Sequence, residues 1–186
     1  MNVTIVRIAT TYGPRGRPDM IPRILIENIY NDNPIRKFGD GTATRTWVYI
    51  SDIVSAFLCA LRNPCGGYAE FNTGAPNSTT LNDMIDCAER VVGKKAIIEQ
   101  YDVPLGDAHF VAQQSYELIR DTLGWTPKVD IEEGMRLTYL DYLRRRKEKT
   151  SHLGRKLPRL WGHWWKVPQG SGLAGLRSSI GRHRGG

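Results

Sequence analysis

The chain has 186 residues, 40% of them apolar, enough to bury one core and so consistent with one domain. Its formal charge of +7 is unevenly spread: residues 144–186 hold 12 of the 26 Lys/Arg and one acid, Glu148, leaving residues 1–143 with 14 bases against 18 acids, a net of −4. The globular part is therefore mildly acidic, which excludes a polyanion-binding fold argued from whole-chain charge, and no apolar run approaches the length of a membrane span.

In chain order, VTIVRIAT (3–10) is β-branched and almost continuously apolar, the pattern of a strand covered on both faces in a parallel sheet. It leads into YGPRGRPDM (12–20), where Arg15 and Arg17 stand among two glycines, two prolines and an aspartate, a stiff cationic loop suited to an anion. Over residues 20–31, Ile21, Ile24, Leu25 and Ile29 fall at helical spacing, with Pro22 tolerated in the first turn and Asn-Asp-Asn-Pro closing the helix before Pro34. IRKF reads as a short strand, Gly39-Asp40-Gly41 as a turn, and the next strand alternates around Trp47 and Tyr49. SDIVSAFLCALRN is a helix expected to be capped by Ser51 or Asp52, with Ile53, Ala56, Phe57, Ala60 and Leu61 on one face. Residues 68–73 form a further strand, followed by a helix with a capping box at Thr80 and Asp83 and a stop at Gly93. Two more helices, over 115–123 and from 131 to about 149, flank GWTPKVD.

Strands alternating with helices make an α/β chain, and no internal repeat is present. The domain is expected over residues 1–149. Beyond Lys149 no period is sustained and acids all but vanish, so residues 150–186 are expected to be a disordered basic tail. Three scattered cysteines (Cys59, Cys65, Cys87) read as reduced thiols of a cytoplasmic protein, and they and the four unclustered histidines offer no metal-ligand spacing, so no metal is expected. The start of the chain lacks the basic n-region and apolar h-region of a signal peptide.

YGPRGRPDM, FGDGTATR and YISDIVSA, in this order and spacing, resemble the second half of an extended short-chain dehydrogenase/reductase of the NAD-dependent epimerase/dehydratase family, most of all its UDP-glucuronate 4-epimerases. FNTGAPNSTTLNDMI and LGWTPKVDIEEGM continue the likeness, which covers residues 3–143. The resemblance implies the C-terminal part of a Rossmann-like fold: the last parallel strands and a small substrate-binding α/β lobe, with the first dinucleotide-binding half absent. It implies a UDP-sugar substrate, with Arg45 at the diphosphate, Phe38 beside the uracil, Arg17 and Thr10 near the sugar carboxylate, and Met20 in the wall of the sugar pocket. Guanidinium forks suit such oxyanions because they give paired, charge-assisted hydrogen bonds. Arg15 occupies a position at which the family varies. Taken singly, Arg17 reads as a solvated charge, Thr10 as a strand residue and Phe38 as core; together with Arg45 and the motif order, binding is the stronger reading.

In this family a tyrosinate, its pKa lowered by a lysine four residues on, removes the C4 hydroxyl proton while NAD accepts and returns the hydride. None of the eight tyrosines here has that lysine; Tyr142 comes nearest, with Arg146 in its place. The glycine fingerprint is missing from the front of the chain, and GSGLAG (170–175) matches it as a string without the strand and helix it requires. Catalytic and cofactor-binding residues are therefore expected to be none, NAD is not expected to bind this chain alone, and the chain is expected to be a fragment or a degenerate relative without turnover. Val111 and Ala112 stand near the positions of a family arginine that reaches the diphosphate, so weaker UDP-sugar affinity is expected, with Ser115 left to cap the next helix. A homodimer is expected only of full-length relatives. The alternatives are a UDP-glucuronate decarboxylase or other sugar-nucleotide dehydratase, and a non-catalytic protein whose tail, with Trp161, Trp164 and Trp165, meets nucleic acid or membrane; no nucleic acid is expected at the folded part.

Overall fold

In the computed structural model, which describes residues 1–103 and 113–152, the element order is β1 (Val3–Ile8), β2 (Thr10–Tyr12), α1 (Ile21–Tyr30), β3 (Pro34–Phe38), β4 (Thr44–Arg45), β5 (Trp47–Tyr49), α2 (Ile50–Arg62), β6 (Tyr68–Thr73), β7 (Thr79–Thr80), α3 (Leu81–Val92), β8 (Ile97–Tyr101), α4 (Glu117–Leu123) and α5 (Ile131–His152). Residues 104–112 and 153–186 lie outside it, and with them Val111, Ala112, the 170–175 glycine string and nearly all of the expected tail. Strands β1 and β6, β2 and β5, and β3 and β8 pair in parallel; β4 and β7 pair antiparallel.

The expected first strand divides at Ala9 for a hydrogen-bonding reason. Ala9 N–H donates to the Thr73 hydroxyl at 3.1 Å, and that hydroxyl donates to Arg7 carbonyl at 3.2 Å. The wholly buried Thr73 thus takes up the end of the β1–β6 ladder, and the chain passes on to β5, with Thr10 opposite Trp47. The expectation of a strand covered on both faces fails for β1: Ile5 and Ile8 are exposed, and among the described strands β1 has β6 alone as a neighbour.

Three other expectations are corrected. Neither Ser51 nor Asp52 caps α2, which starts one residue earlier with Tyr49 as its cap. Asp52 is buried instead, and its Oδ2 accepts the backbone N–H groups of Lys128 at 3.0 Å and Val129 at 2.9 Å, fastening the 124–130 connection to the start of α2. Phe57 and Leu61 are exposed, leaving Ile53, Ala56 and Ala60 as the buried stripe of α2. Likewise Ser115 lies ahead of α4 rather than at its cap, which is Tyr116. The capping box of α3 is present, with Asp83 N–H donating to Thr80 Oγ1 at 3.0 Å, and Gly93 ends the helix in the left-handed conformation at φ 78°.

The main core joins α1 (Leu25, Ile26, Ile29), α3 (Met84, Ile85, Cys87, Ala88) and α5 (Met135) to Tyr12, Ile35, Trp47 and Tyr49. Tyr12 is its hinge. Its ring packs edge-on against Trp47 and Tyr49, with centroids 6.2 and 5.6 Å away, and its hydroxyl donates to the Asp130 and Ile131 carbonyls at 3.3 and 3.4 Å. Gly134 makes this possible, since a Cβ there would run into the Tyr12 hydroxyl. A second cluster sets Phe71 against Ala56, Ile119 and Trp125, whose indole N–H donates to Ser55 Oγ at 2.8 Å.

Asp52→Ala should lower the unfolding free energy by about 1–3 kcal/mol, because two part-buried backbone N–H groups lose their acceptor, whereas Asp52→Asn retains a carbonyl oxygen and should lose less; urea unfolding of the three proteins compares them. Burial pushes the Tyr12 phenol far above its ordinary value. The folded state therefore holds a proton that the unfolded chain gives up near pH ~10, so stability is complete below that pH and falls as pH rises beyond it. Tyr12→Phe should flatten this alkaline decline in urea midpoints measured from about pH 8 to about pH 11.

Candidate functional site

Parallel strands β2 and β5 end side by side, with Tyr12 opposite Tyr49. The 13–19 loop leaves the first and α2 leaves the second, so the region beyond their carboxyl ends opens as a crevice, the usual ligand position in open α/β sheets. A cavity of about 330 Å³ lies there, walled by Tyr12, the 13–17 backbone, Arg15, Arg17, Met20, Arg23, Ile50 and Thr138.

The loop is fixed by its own backbone. Gly13 has φ 147°, and a Cβ on it would stand 2.7 Å from Ile50 Cγ2, so only glycine lets the loop leave against α2. Gly16 N–H donates to the Gly13 carbonyl at 3.2 Å, closing a turn that holds Arg15 at φ 61°, a conformation that costs a non-glycine residue of order 1 kcal/mol. Met20 N–H donates to the Arg17 carbonyl at 3.2 Å. Arg23, on the first turn of α1, donates from Nη1 to the Gly16 carbonyl and from Nε to Glu27 Oε1, both at 2.7 Å. A helix side chain thereby ties the loop down before any ligand arrives.

Arg17 pairs with Asp19, Nη2 to Oδ2 at 2.9 Å, with its side chain 75% exposed. An ion pair so open to water contributes little, so an incoming oxyanion competes with Asp19 at small cost. Arg15, Arg17 and Arg23 together make this mouth cationic. Behind the loop, a second cavity of about 370 Å³ shares Gly13, Gly16, Arg23 and Thr138 with the first and adds Glu27, Tyr142, Arg145 and Arg146. The Tyr142 hydroxyl there accepts from Arg146 Nη1 and Asn31 Nδ2, each at 3.1 Å. Burial raises the phenol pKa of Tyr49 as it does that of Tyr12, so both tyrosines that close β2 and β5 are neutral hydrogen-bonding groups.

Of the residues expected to bind substrate, Arg17 and Met20 share the cavity wall. Thr10 stands at the start of β2, and Phe38 and Arg45 lie outside that wall. Arg45 is exposed on β4, opposite Thr79 of β7. Phe38 is half-exposed at the end of β3, its ring 5.6 Å from that of Tyr101 on β8, with the Arg36 guanidinium 5.8 Å from the Tyr101 ring centroid. Sequence reasoning missed Tyr101 along with its strand, although the β-branched pair Ile97-Ile98 just past the Gly93 stop was the available signal. It also missed Arg23, whose i, i+4 spacing to Glu27 marks only a surface pair; the bond to Gly16 is tertiary. Among the described residues no group of His, Cys, Asp and Glu is arranged to hold a metal, and no helix is long and apolar enough to cross a membrane.

Residues 1–74 match the NAD dependent epimerase/dehydratase family. A UDP-glucuronate 4-epimerase of Thermodesulfobacterium geofontis is 37% identical over 139 residues, covering 74% of this chain and 42% of that protein. UDP-glucuronic acid decarboxylase 1 of Arabidopsis thaliana is 28% identical over 148 residues, 78% of this chain and 33% of the relative. Among solved structures, the UDP-glucuronic acid 4-epimerase of Bacillus cereus in complex with UDP-glucuronic acid and NAD superposes with a TM-score of 0.68 at 30% identity, over 78% of this chain and 46% of that one. The chain thus spans less than half the length of the relatives it matches. With the motif order, the parallel pairing and the crevice beyond the strand ends all in agreement, the chain carries a Rossmann-like α/β fold, matches the NAD-dependent epimerase/dehydratase family over residues 1–74, and is similar to UDP-glucuronate 4-epimerases.

Proposed function

We propose that this chain carries the UDP-sugar half of an epimerase site and turns over nothing by itself. The observation that supports this most is the cavity beyond β2 and β5, where a pre-tied loop presents Arg17 and Met20 and where Arg17, among the described residues, is held by a solvent-exposed pair. A sugar carboxylate displaces Asp19 from Arg17 there, with Thr10 on the strand beneath and Met20 against the ring. Arg45 takes the diphosphate, and Phe38 lies along the uracil. The Bacillus cereus relative binds UDP-glucuronic acid, which is the substrate that joins these three chemistries.

The residues present do not fit NAD. Among the described residues, β1 passes through Ala9 directly into β2, with no glycine-rich turn opening a helix at its end, and such a turn is what brings a backbone close enough to a pyrophosphate. What the chain's residues do is bind, neutralise and orient the nucleotide sugar; deprotonation and redox chemistry belong to groups this chain does not supply. The Arabidopsis relative supports a second reading, decarboxylation of the same substrate, for which the carboxylate would still rest on Arg17.

Arg17→Ala should weaken UDP-glucuronate binding about tenfold while leaving UDP-glucose nearly unchanged, whereas Arg45→Ala should weaken both, as read by calorimetric titration. An unchanged preference between the two sugars in Arg17→Ala would remove the carboxylate assignment. Incubating the purified chain with UDP-glucuronate and NAD should yield no UDP-galacturonate by chromatography; its formation would overturn the claim of inactivity.

A further inference from the structure

The cavity behind the loop has a wall rich in positive charge. Arg23, Arg145 and Arg146 line it together with one carboxylate, Glu27, and the hydroxyl-bearing Thr138 and Tyr142. These guanidinium groups are drawn inward rather than spread in solvent: the side chains of Arg23 and Arg145 are 31% and 35% exposed. Arg145 also shares its counter-charge. The buried carboxylate of Asp141 takes Arg144 on Oδ1 at 2.9 Å and Arg145 on Oδ2, so two cations stand on one anion and a positive charge is left over. Partly desolvated charge of one sign is costly unless an opposite charge meets it.

The wall is preorganised as well. Arg146 donates from Nη1 to Asn31 Oδ1 at 2.6 Å and to the Tyr142 hydroxyl at 3.1 Å, and its guanidinium lies 4.9 Å from the centre of the Tyr30 ring. Because the Tyr142 hydroxyl accepts from both Arg146 and Asn31, its own O–H is left to donate to a further acceptor. Fixed guanidinium forks and a hydroxyl donor around a concave space suit a tetrahedral oxyanion, which takes several charge-assisted hydrogen bonds at once. The space, about 370 Å³ against the roughly 30 Å³ of a single water, holds a phosphate together with a small group esterified to it.

We propose that this second cavity binds a phosphate dianion, free or as a phosphate monoester, on Arg23, Arg145 and Arg146, and that its binding opposes that of the nucleotide sugar in the first cavity. Gly13, Gly16, Arg23 and Thr138 belong to both walls. Arg23 is the link. The phosphate draws its Nη1 from the Gly16 carbonyl, and the loop that presents Arg17 loses its tie to α1. Glu27, repelled by the same phosphate, gives up Arg23 Nε. The negative charges of the two ligands also face each other across a shared wall, which disfavours joint occupancy. Such coupling is reciprocal, so the nucleotide sugar weakens phosphate binding by the same factor. The coupling rests on the proposed UDP-sugar site; the phosphate site itself does not.

Calorimetric titration of the full 186-residue chain with inorganic phosphate, and separately with β-glycerol phosphate, at constant ionic strength tests the site. One anion per chain is expected. Tighter binding of the ester identifies a monoester as the ligand, and equal or weaker binding identifies free phosphate; if neither binds at about 10 mM, the inference fails. Arg145→Gln should weaken phosphate binding about tenfold or more, and Arg145→Lys, which keeps the charge without the fork, should weaken it less. Arg144 keeps Asp141 paired in both variants, so their melting curves should match that of the unaltered chain, which separates lost binding from lost folding. Arg17→Ala should leave phosphate binding in place. Phosphate lost in Arg17→Ala but kept in Arg145→Gln would put the anion in the first cavity and overturn the proposal. With saturating phosphate, the apparent Kd for UDP-glucuronate should rise about fivefold or more and then level off. A rise without limit means direct competition and overturns the coupling, as does no rise at all. Failure of UDP-glucuronate to bind would remove the substrate reading and the coupling with it, while the Arg145→Gln comparison would still decide the phosphate site.

Discussion

The position of one tyrosine ring governs the crevice. Tyr12 ends β2, packs edge-on against both aromatic residues of β5, and reaches the carbonyls at the start of α5. Three elements far apart in sequence therefore meet at a side chain whose next residue begins the cationic loop. The contact tolerates little change, because Gly134 and Gly13 are the gaps that admit the ring and let the loop turn away. A rigid mouth follows from apolar packing below it, and its charge is carried by residues that contribute little to that packing.

The division of labour shows in the arginines. Arg23 is committed: bonded to the Gly16 carbonyl and to Glu27, it acts as a strut. Among the described residues Arg17 pairs with an exposed aspartate, and Arg15 sits in a backbone conformation that most side chains avoid. Inflexible backbone below weakly engaged guanidinium groups is what an anion site needs, since ordering costs are met in folding while the charges stay exchangeable.

Much of this was legible in the sequence where physics is local. The Thr80–Asp83 capping box and the Gly93 stop are short-range devices, and the structure has both. The loop could be read as stiff and cationic because Pro14, Gly13 and the arginines are neighbours in the chain. What escaped was tertiary. Asp52 looked like a cap by spacing, but two backbone donors more than seventy residues away claim its carboxylate. The break at Ala9 depends on a hydroxyl from β6, and β8 with Tyr101 is defined by pairing with β3. The apolar run of β1 announced a strand, which the structure has, but not its cover: Ile5 and Ile8 are exposed among the described residues. Thr10, Arg17, Met20, Phe38 and Arg45 became candidates through motif likeness rather than period, for no periodicity distinguishes a binding arginine from a solvated one.

The parallel pairing of β1 with β6 also sets the order in which the chain can assemble. Val3 pairs with Tyr68 and Ile8 with Thr73, so this ladder cannot form until α1, β5 and α2 have all been synthesised. Loop closure over that distance is slow compared with helix formation. The β1–β6 ladder is thus a contact that must wait for what lies downstream, while the turns of α1 and α2 close locally.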